Sequence, residues 1–316
     1  MSWPQLVGHE AVWARLTRLL ADERLPHALL FTGPPGIGKA LLARRLAARL
    51  ACTAADVRPC GECPGCRQIA AGSHPDLLAV AAPDRSGKEP RKKEIGIERA
   101  RELKRFAQLH AVSAPRKMAI LDDADRLSIA AQNALLKTLE EPPGQALIIL
   151  ITAAPGGLLP TVRSRCQLVL CQPLTDTQVR AVLIASDIPA DSADALAAAA
   201  DGSPGRAVAL RTHWQGGEDR ELQRLLADLD AGRYGSVLAM SKTLGTSESE
   251  TAARLDNLLG LCHAAARAAA AAGDVDGLDR HVRRAAAVDE ALRTLRWRNP
   301  NRNLLTEALA LRLART

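Results

Sequence analysis

The fold is decided by one stretch, Thr32-Gly33-Pro34-Pro35-Gly36-Ile37-Gly38-Lys39-Ala40, which follows an apolar run at 28–31 and opens a helical pattern at 41–46. A strand, a glycine-rich turn and a helix in this order form the setting of a phosphate-binding loop. The glycines let backbone N–H groups surround an anion, and the lysine adds a positive charge for the outer phosphates. The stretch therefore predicts a P-loop whose nucleotide-binding residues are Gly33, Gly36, Gly38 and Lys39.

Two positions depart from the pattern of an active ATPase. Ala40 stands where Ser or Thr normally supplies a hydroxyl ligand to Mg²⁺. Asp122 ends an apolar strand, as expected for the acid that holds Mg²⁺ through water. The next residue, normally the Glu that activates the attacking water, is Asp123, whose side chain is one methylene shorter. We therefore expect binding of ATP and Mg²⁺ to be weak or absent and hydrolysis to be absent.

Four of the seven cysteines cluster in the sequence, at Cys52, Cys60, Cys63 and Cys66. Two residues between successive ligands let consecutive thiolates bind one ion at about 2.3 Å without backbone strain. Four sulfurs complete a closed tetrahedron with no position for water, so we expect a structural Zn²⁺. An iron–sulfur cluster is an alternative, although the usual continuation of the bacterial cluster motif is missing. Free thiols, or replacement of one cysteine by His74, also stay open.

Composition limits the classes of function that this chain can have. Its 316 residues carry a net charge of +7, which favours acidic partners such as nucleic acid. Only seven aromatic residues occur and they are scattered, which argues against a base-stacking surface for single strands. The apolar run at 146–151 is too short to cross a bilayer, and no signal peptide is evident. We expect a cytoplasmic protein with no membrane partner.

The chain changes character near residue 171. Before it, strands alternate with helices, which predicts an α/β fold with a parallel sheet and helices on both faces. After it, the pattern is helical, with no proline between Pro204 and Pro300. We expect three domains: an α/β P-loop domain at 1–170 with a zinc module around 52–66, a small helical domain at 171–210, and an all-helical domain at 211–316.

Several stretches together resemble the bacterial clamp-loader family of AAA+ proteins. Residues 128–143, SIAAQNALLKTLEEPP, resemble the family signature, residues 164–166 match its Ser-Arg-Cys motif, and the four cysteines match its zinc module. The resemblance is specific over residues 1–170, looser over 171–210, and rests on length and composition beyond. It implies an AAA+ domain, a helical lid domain, and a helical collar that joins this chain with gamma or tau and delta subunits. That pentameric ring loads the sliding clamp onto primed DNA.

Within the family, Ala40 and Asp123 resemble the delta-prime branch of DNA polymerase III subunits rather than the gamma and tau motors. The motors carry Thr or Ser after the lysine and Glu after the strand-ending Asp. The resemblance thus implies a stator that does not hydrolyse ATP. It also implies that Arg165 acts in trans, as an arginine finger toward ATP held by an adjacent motor subunit.

The resemblance also assigns residues to a degenerate nucleotide site. Val7 and Gly8 resemble the segment that lines an adenine pocket. Arg206 lies near the sensor-two position, although an extra residue in the stretch 202–206 shifts the alignment. At the sensor-one region, Ala153 has no side chain that could form a hydrogen bond.

Two other functions stay open at this point. A gamma- or tau-like motor would use Asp123 as its base, with water in place of the missing hydroxyl, and both Ala40 and Asp123 argue against it. A zinc-dependent nucleic-acid-binding module would explain the basic charge and the cysteines. The scarcity of aromatic residues and the extent of the AAA+ motifs argue against that module.

Overall fold

The computed structural model describes residues 6–80, 94–216, 218–231, 233, 248–298 and 300–315. The chain divides into two compact units, residues 1–174 and 175–316. The first is an α/β unit and the second is helical, as predicted. The further boundary predicted between residues 210 and 211 falls inside a continuous helix, Pro204–Gly216. A separation of the second unit into lid and collar therefore stays a prediction.

The first unit is built on a five-stranded sheet whose paired strands are all parallel. The strands are β1 (Ala28–Thr32), β2 (Leu77–Val80), β3 (Met118–Leu121), β4 (Leu147–Thr152) and β5 (Gln167–Leu170). Their spatial order is β2-β3-β4-β1-β5, and in register Leu30 lies opposite Leu150 on one side and Leu168 on the other. Strands β1, β3 and β4 are buried along their whole length, as expected for interior parallel strands covered on both faces.

Among the described residues of this unit, six α-helices accompany the sheet. They are α1 (Glu10–Ala21), α2 (Lys39–Ala51), α3 (Pro64–Ala71), α4 (Ile97–Ala107), α5 (Ile129–Glu140) and the single turn α6 (Pro160–Arg163). Helix α3 was not predicted from the sequence. Pro64 is tolerated there because the first helical turn needs no N–H from that residue, and the Cys63 sulfur caps the turn by accepting from the N–H of Cys66.

The sheet positions the candidate site at one edge. Parallel strands bring their carboxyl ends together, and ligands of open α/β sheets bind beyond those ends. The P-loop follows β1, the acid turn follows β3 and Thr152 ends β4, so these segments meet at the same edge of the sheet. Apolar side chains of β1, β3 and β4 pack with α4 and α5 in a core below it.

The second unit is helical throughout its described residues. Its helices are α7 (Asp176–Ala185), α8 (Ala190–Ala199), α9 (Pro204–Gly216), α10 (Glu218–Asp230), α11 (Glu248–Ala272), α12 (Val275–Arg298) and α13 (Arg302–Ala314). One face of the long helix α11 is buried at Leu255, Leu258 and Cys262, against side chains of α10, α12 and α13. Across the described residues, no helix is both long and apolar enough to cross a membrane.

Candidate nucleotide and metal sites

The predicted P-loop has the backbone of a phosphate-binding turn. Gly33, Gly36 and Gly38 have φ angles of 147°, 75° and 101°, which lie in the region that favours glycine. At Gly33 a Cβ atom would also lie 2.2 Å from the carbonyl oxygen of Cys171, so no side chain fits. Helix α2 begins directly after this turn, and its N-terminus favours an anion.

Lys39 is the charged group inside the loop. The side chain is buried, and Nζ donates to the carbonyl oxygens of Gly33 at 2.7 Å and Pro34 at 2.6 Å. Burial lowers the pKa of Lys39, and the nearby Cys171 and the acids of the β3 turn oppose this shift. The ammonium group therefore holds the loop in shape and places its positive charge where a phosphate would bind.

The buried side chain of His9 packs against the P-loop, a contact that was not predicted from the sequence. The ring is buried, and Nε2 lies 2.7 Å from the carbonyl oxygen of Ile37, which can only accept the bond. Next to His9, Gly8 has a φ of 84°, and a Cβ atom there would lie 2.5 Å from Cγ of Leu174. This close packing accounts for the glycine, while the adenine-lining role of Val7 and Gly8 stays a prediction.

The acid turn after β3 lies at the same edge. Asp122 follows the strand directly, and Asp123 has a φ of 51°, with Oδ2 3.6 Å from Nη1 of Arg126. Asp125, which the sequence analysis did not single out, accepts a hydrogen bond from Oγ1 of Thr152 at 2.5 Å. Burial raises the pKa of Asp125, and the bond from Thr152 partly offsets that rise. The hydroxyl at the end of β4 is thus engaged by an acid of this chain.

Two side chains at this edge differ from the pattern expected of an active ATPase. Ala40 lies in the first turn of α2 and offers no hydroxyl to a metal ion. Asp123 takes the place of the usual Glu, and it pairs with Arg126. The arrangement presents loop amides and Lys39 to an anion, with no hydroxyl at position 40 and an Asp at position 123.

Arg165 lies on a different segment, just after α6. Its Nε donates to Oε1 of Glu140 at 2.5 Å, its Nη2 contacts the same oxygen, and its Nη1 donates to the carbonyl oxygen of Thr161 at 2.8 Å. Glu140 is the last residue of α5. The predicted finger is therefore half-exposed and held by an acid of its own chain, a contact that the sequence analysis did not predict.

Arg206 belongs to the second unit and lies in an ion cluster there. Its Nη1 is 2.7 Å from Oδ2 of Asp201, and its Nη2 donates to the carbonyl oxygen of Asp256 at 2.8 Å. Asp201 also binds Nδ1 of His263 at 2.6 Å and Nη1 of Arg267 at 2.5 Å. These contacts tie the turn between α8 and α9 to α11. The sensor-two role of Arg206 stays a prediction.

The four predicted cysteines come together. Each offers a sulfur atom, and all four sulfurs lie within 4.8 Å of one another. The Sγ atoms of Cys60 and Cys66 are 4.0 Å apart, and those of Cys63 and Cys52 are 3.9 Å apart. A tetrahedron with metal–sulfur bonds of about 2.3 Å has edges of about 3.8 Å, so these distances fit Zn²⁺.

The environment of the cluster favours the thiolate at Cys60 and Cys63, whereas burial raises the pKa of the Cys66 thiol. Backbone N–H groups of Cys60, Cys63 and Cys66 point at sulfurs of the set, at 3.4–3.5 Å. Burial raises the pKa of Cys63, but hydrogen bonds from the N–H groups of Cys66 and Thr53 outweigh it and lower the pKa to about 6. Deprotonated sulfur is the form that binds a metal.

His74 takes part in a different network, so its predicted alternative role as a metal ligand is not supported. Its Nδ1 accepts from the N–H of Asp76 at 3.0 Å, and its Nε2 lies 3.4 Å from Oγ of Ser113. The Asp76 carboxylate is fully buried beside Lys117, with Oδ1 2.9 Å from Nζ. It also accepts from the N–H groups of residues 112–114 at 2.7–2.8 Å.

The fold and this site define a P-loop α/β protein. Its parallel sheet has a glycine-rich turn with a buried lysine after β1, and an acid follows β3. The profile of the family described as "DNA polymerase III, delta subunit" matches residues 8–175. The chain belongs to this family, which agrees with its resemblance to bacterial clamp-loader subunits.

Individual relatives agree with that assignment. DNA polymerase III subunit delta' of Pseudomonas aeruginosa is 37% identical over 218 residues, and that of Escherichia coli is 37% identical over 219 residues. These matches cover 68% and 67% of this chain and 63% of each relative. The tau subunit of Bacillus subtilis is 36% identical over 163 residues, which cover 51% of this chain and 27% of that protein.

A solved structure was also matched. It is a DNA polymerase III gamma subunit-related protein of Thermotoga maritima, with a TM-score of 0.42, 18% identity, and coverage of 95% of this chain and 98% of that one.

Proposed function

We propose that this chain is a delta-prime-like stator of the DNA polymerase III clamp loader, which supports ATP-dependent loading of the sliding clamp without hydrolysing ATP itself. One observation carries the proposal. The phosphate-binding loop keeps its glycine conformations and its buried lysine, yet Ala40 lacks the metal-binding hydroxyl and Asp123 pairs with Arg126. A loop of this kind can bind a nucleotide weakly but lacks two groups that hydrolysis needs.

The partners follow from the family. The chain would sit in a ring with gamma or tau and delta subunits and would reach the clamp and primed DNA through that assembly. Its contribution to catalysis would be Arg165, whose guanidinium would stabilise charge on the phosphates of ATP held by an adjacent subunit. An arginine supplied in trans increases the rate of phosphoryl transfer by about 10³–10⁵.

Zinc would have a structural role. Cys52, Cys60, Cys63 and Cys66 would hold Zn²⁺ in a closed tetrahedron, which leaves no position for a reactive water. The ion would tie the end of α2 to the start of α3, because Cys52 follows the first helix and Cys63 caps the second.

The first test uses the isolated chain. With Mg²⁺ and ATP present, we expect no turnover and weak or absent nucleotide binding. Robust turnover that is lost in Lys39→Ala would refute the stator assignment and favour a motor.

The second test uses the complex reconstituted with its partner subunits. Arg165→Ala should leave assembly intact but slow the phase of single-turnover hydrolysis that belongs to the adjacent site, by about 10³-fold or more. Arg163→Ala is the matched control. Arg163 is an exposed arginine at the end of α6, two residues before Arg165. Equal rates for Arg165→Ala and the control would refute the finger role.

A further inference from the structure

The contact between Arg165 and Glu140 decides which N–H edge of the guanidinium is available to a ligand. An arginine carries five N–H groups in a rigid planar fork. Nε and Nη2, which form the side edge of that fork, both face one carboxylate oxygen of Glu140. One N–H of Nη1 donates to the carbonyl oxygen of Thr161. These are the contacts of the guanidinium with the residues that the structure describes, and they leave one N–H on each of Nη1 and Nη2 without a partner there.

The terminal edge of the guanidinium, formed by Nη1 and Nη2, lies opposite Nε and is not the edge that Glu140 occupies. A phosphate group binds such an edge through two parallel hydrogen bonds. The ion pair itself is half-exposed, with the Arg165 side chain 32% and the Glu140 side chain 46% accessible. Exposed pairs of this kind add little to folding stability, so the main consequence of the contact is the orientation of Arg165.

The segment at 157–165, which carries Arg165 at its end, also contacts α5 at its start. Gln132 of α5 is buried, and its Oε1 accepts from the N–H of Leu159 at 2.7 Å. The same side chain donates through Nε2 to the carbonyl oxygens of Leu127 at 3.0 Å and Gly157 at 3.2 Å. Helix α5 therefore holds the start of the segment through Gln132 and its end through Glu140.

We propose that Glu140 is a positioning residue for Arg165. It binds the side edge of the guanidinium and leaves the terminal edge for the phosphates of a nucleoside triphosphate on an adjacent subunit. The inference rests on the proposed function of Arg165 as a finger in trans. It adds that the rate at that site depends on an acid which does not itself touch the nucleotide.

The test is single-turnover ATP hydrolysis by the complete reconstituted complex. Glu140→Gln should slow the phase assigned to the adjacent site by about 10- to 100-fold, as expected when a catalytic group is misplaced by about 1 Å. The affinity for ATP should stay within about twofold, because the nucleotide is bound by the other subunit. Glu140→Asp, which keeps the charge but withdraws it by one methylene, should give an intermediate rate.

A matched control is available in the neighbouring residue. Glu141 is exposed, and its carboxylate makes no ion pair or hydrogen bond with any residue that the structure describes. Glu141→Gln removes the same charge one residue away and should leave the rate unchanged. Size-exclusion chromatography of each complex checks that assembly is retained. In an Arg165→Ala background, Glu140→Gln should have no further effect, because the group that it positions is gone.

The outcomes separate the two proposals. If Arg165→Ala leaves the rate unchanged, the finger role fails and the positioning role fails with it. If Arg165→Ala slows the reaction but Glu140→Gln does not, only the positioning role is refuted. A faster reaction in Glu140→Gln would mean that the ion pair restrains Arg165 and would also overturn the inference. The same conclusion follows if Glu140→Gln slows the reaction equally with and without Arg165.

Discussion

Asp76→Asn tests the buried network that holds residues 112–114 between α4 and β3. The Asp76 carboxylate has no exposed surface, accepts three backbone N–H groups at 2.7–2.8 Å and lies 2.9 Å from the buried ammonium of Lys117. The substitution keeps the shape of the side chain but removes its charge. We expect it to lower the free energy of unfolding of the first unit substantially.

The magnitude follows from the interactions that the substitution removes. Removing one partner of a buried ion pair costs about 3–5 kcal/mol, because the other charge stays buried without compensation. The Asn amide retains one acceptor oxygen, but its NH₂ group faces backbone donors, and each N–H left unpaired costs about 1–3 kcal/mol. These contributions overlap, since all the groups share one site. We therefore expect a total loss of about 3–5 kcal/mol.

The effect should depend on pH in a defined direction. Burial raises the pKa of Asp76, but hydrogen bonds from Ala114 and Ser113 and the contact with Lys117 outweigh it and hold the pKa well below its usual range. A carboxyl whose folded-state pKa is lowered stabilises the fold fully above its unfolded value, about 3.9, and loses that contribution as pH falls further. The difference between the wild type and Asp76→Asn should therefore be complete at neutral pH and shrink below about pH 4.

Hydrogen exchange of the β3 amides measures the unfolding free energy of this unit without interference from the second unit. Exchange in Asp76→Asn should be faster by about a hundredfold or more, since 1.4 kcal/mol corresponds to a factor of ten. Asp22→Asn, a change of an exposed carboxylate at the end of α1, is the matched control and should have little effect. A loss below about 1 kcal/mol in Asp76→Asn, or a difference that grows as pH falls, would refute the reasoning.

Three further predictions concern the cysteine cluster, the candidate nucleotide site and the ion cluster of the second unit. Cys63→Ser should remove bound zinc and lower the melting temperature of the first unit, because metal binding contributes directly to folding; elemental analysis and calorimetry measure both. Ala40→Thr combined with Asp123→Glu should strengthen magnesium-dependent ATP binding by the isolated chain, since it restores a metal ligand and the longer acid; calorimetric titration detects it. Asp201→Asn should speed hydrogen exchange at the start of α9, because it weakens three contacts to one carboxylate.

Each of these predictions has a control and a contrary result. Cys166→Ser changes a thiol outside the cluster and should retain one zinc per chain; a metal-free wild type would contradict the zinc assignment. Lys39→Ala should abolish any gain in ATP binding, and an equal gain without Mg²⁺ would exclude the metal-ligand explanation. Asp194→Asn disrupts an exposed ion pair with Arg180 and is the control for Asp201→Asn. Equal rates of hydrogen exchange at the start of α9 in the two variants would show that the ion cluster does not stabilise that helix.

Features whose partners lie within a few residues of one another could be predicted from the sequence alone. The turn after β1 could be recognised because its glycines and lysine act within one loop. The cysteine cluster could be recognised because the spacing of the cysteines brings their sulfurs together. The strands could be predicted from apolar runs, and the absence of a hydroxyl at Ala40 needs no coordinates. Helix α3 was missed because Pro64 and Gly65 are also typical of loops. Its cap, the Cys63 sulfur, was interpreted only as a metal ligand.

Contacts that join distant parts of the chain could be identified only from the folded structure. The carboxylate that holds Arg165 lies 25 residues away, Asp125 meets Thr152 across 27 residues, and Asp201 meets His263 across 62. No local periodicity encodes such pairs, because they depend on the order of the strands and the packing of the helices. Hydrogen bonds and ion pairs act over only a few ångströms, so the partners of Arg165 and Asp201 are defined only once the chain is folded.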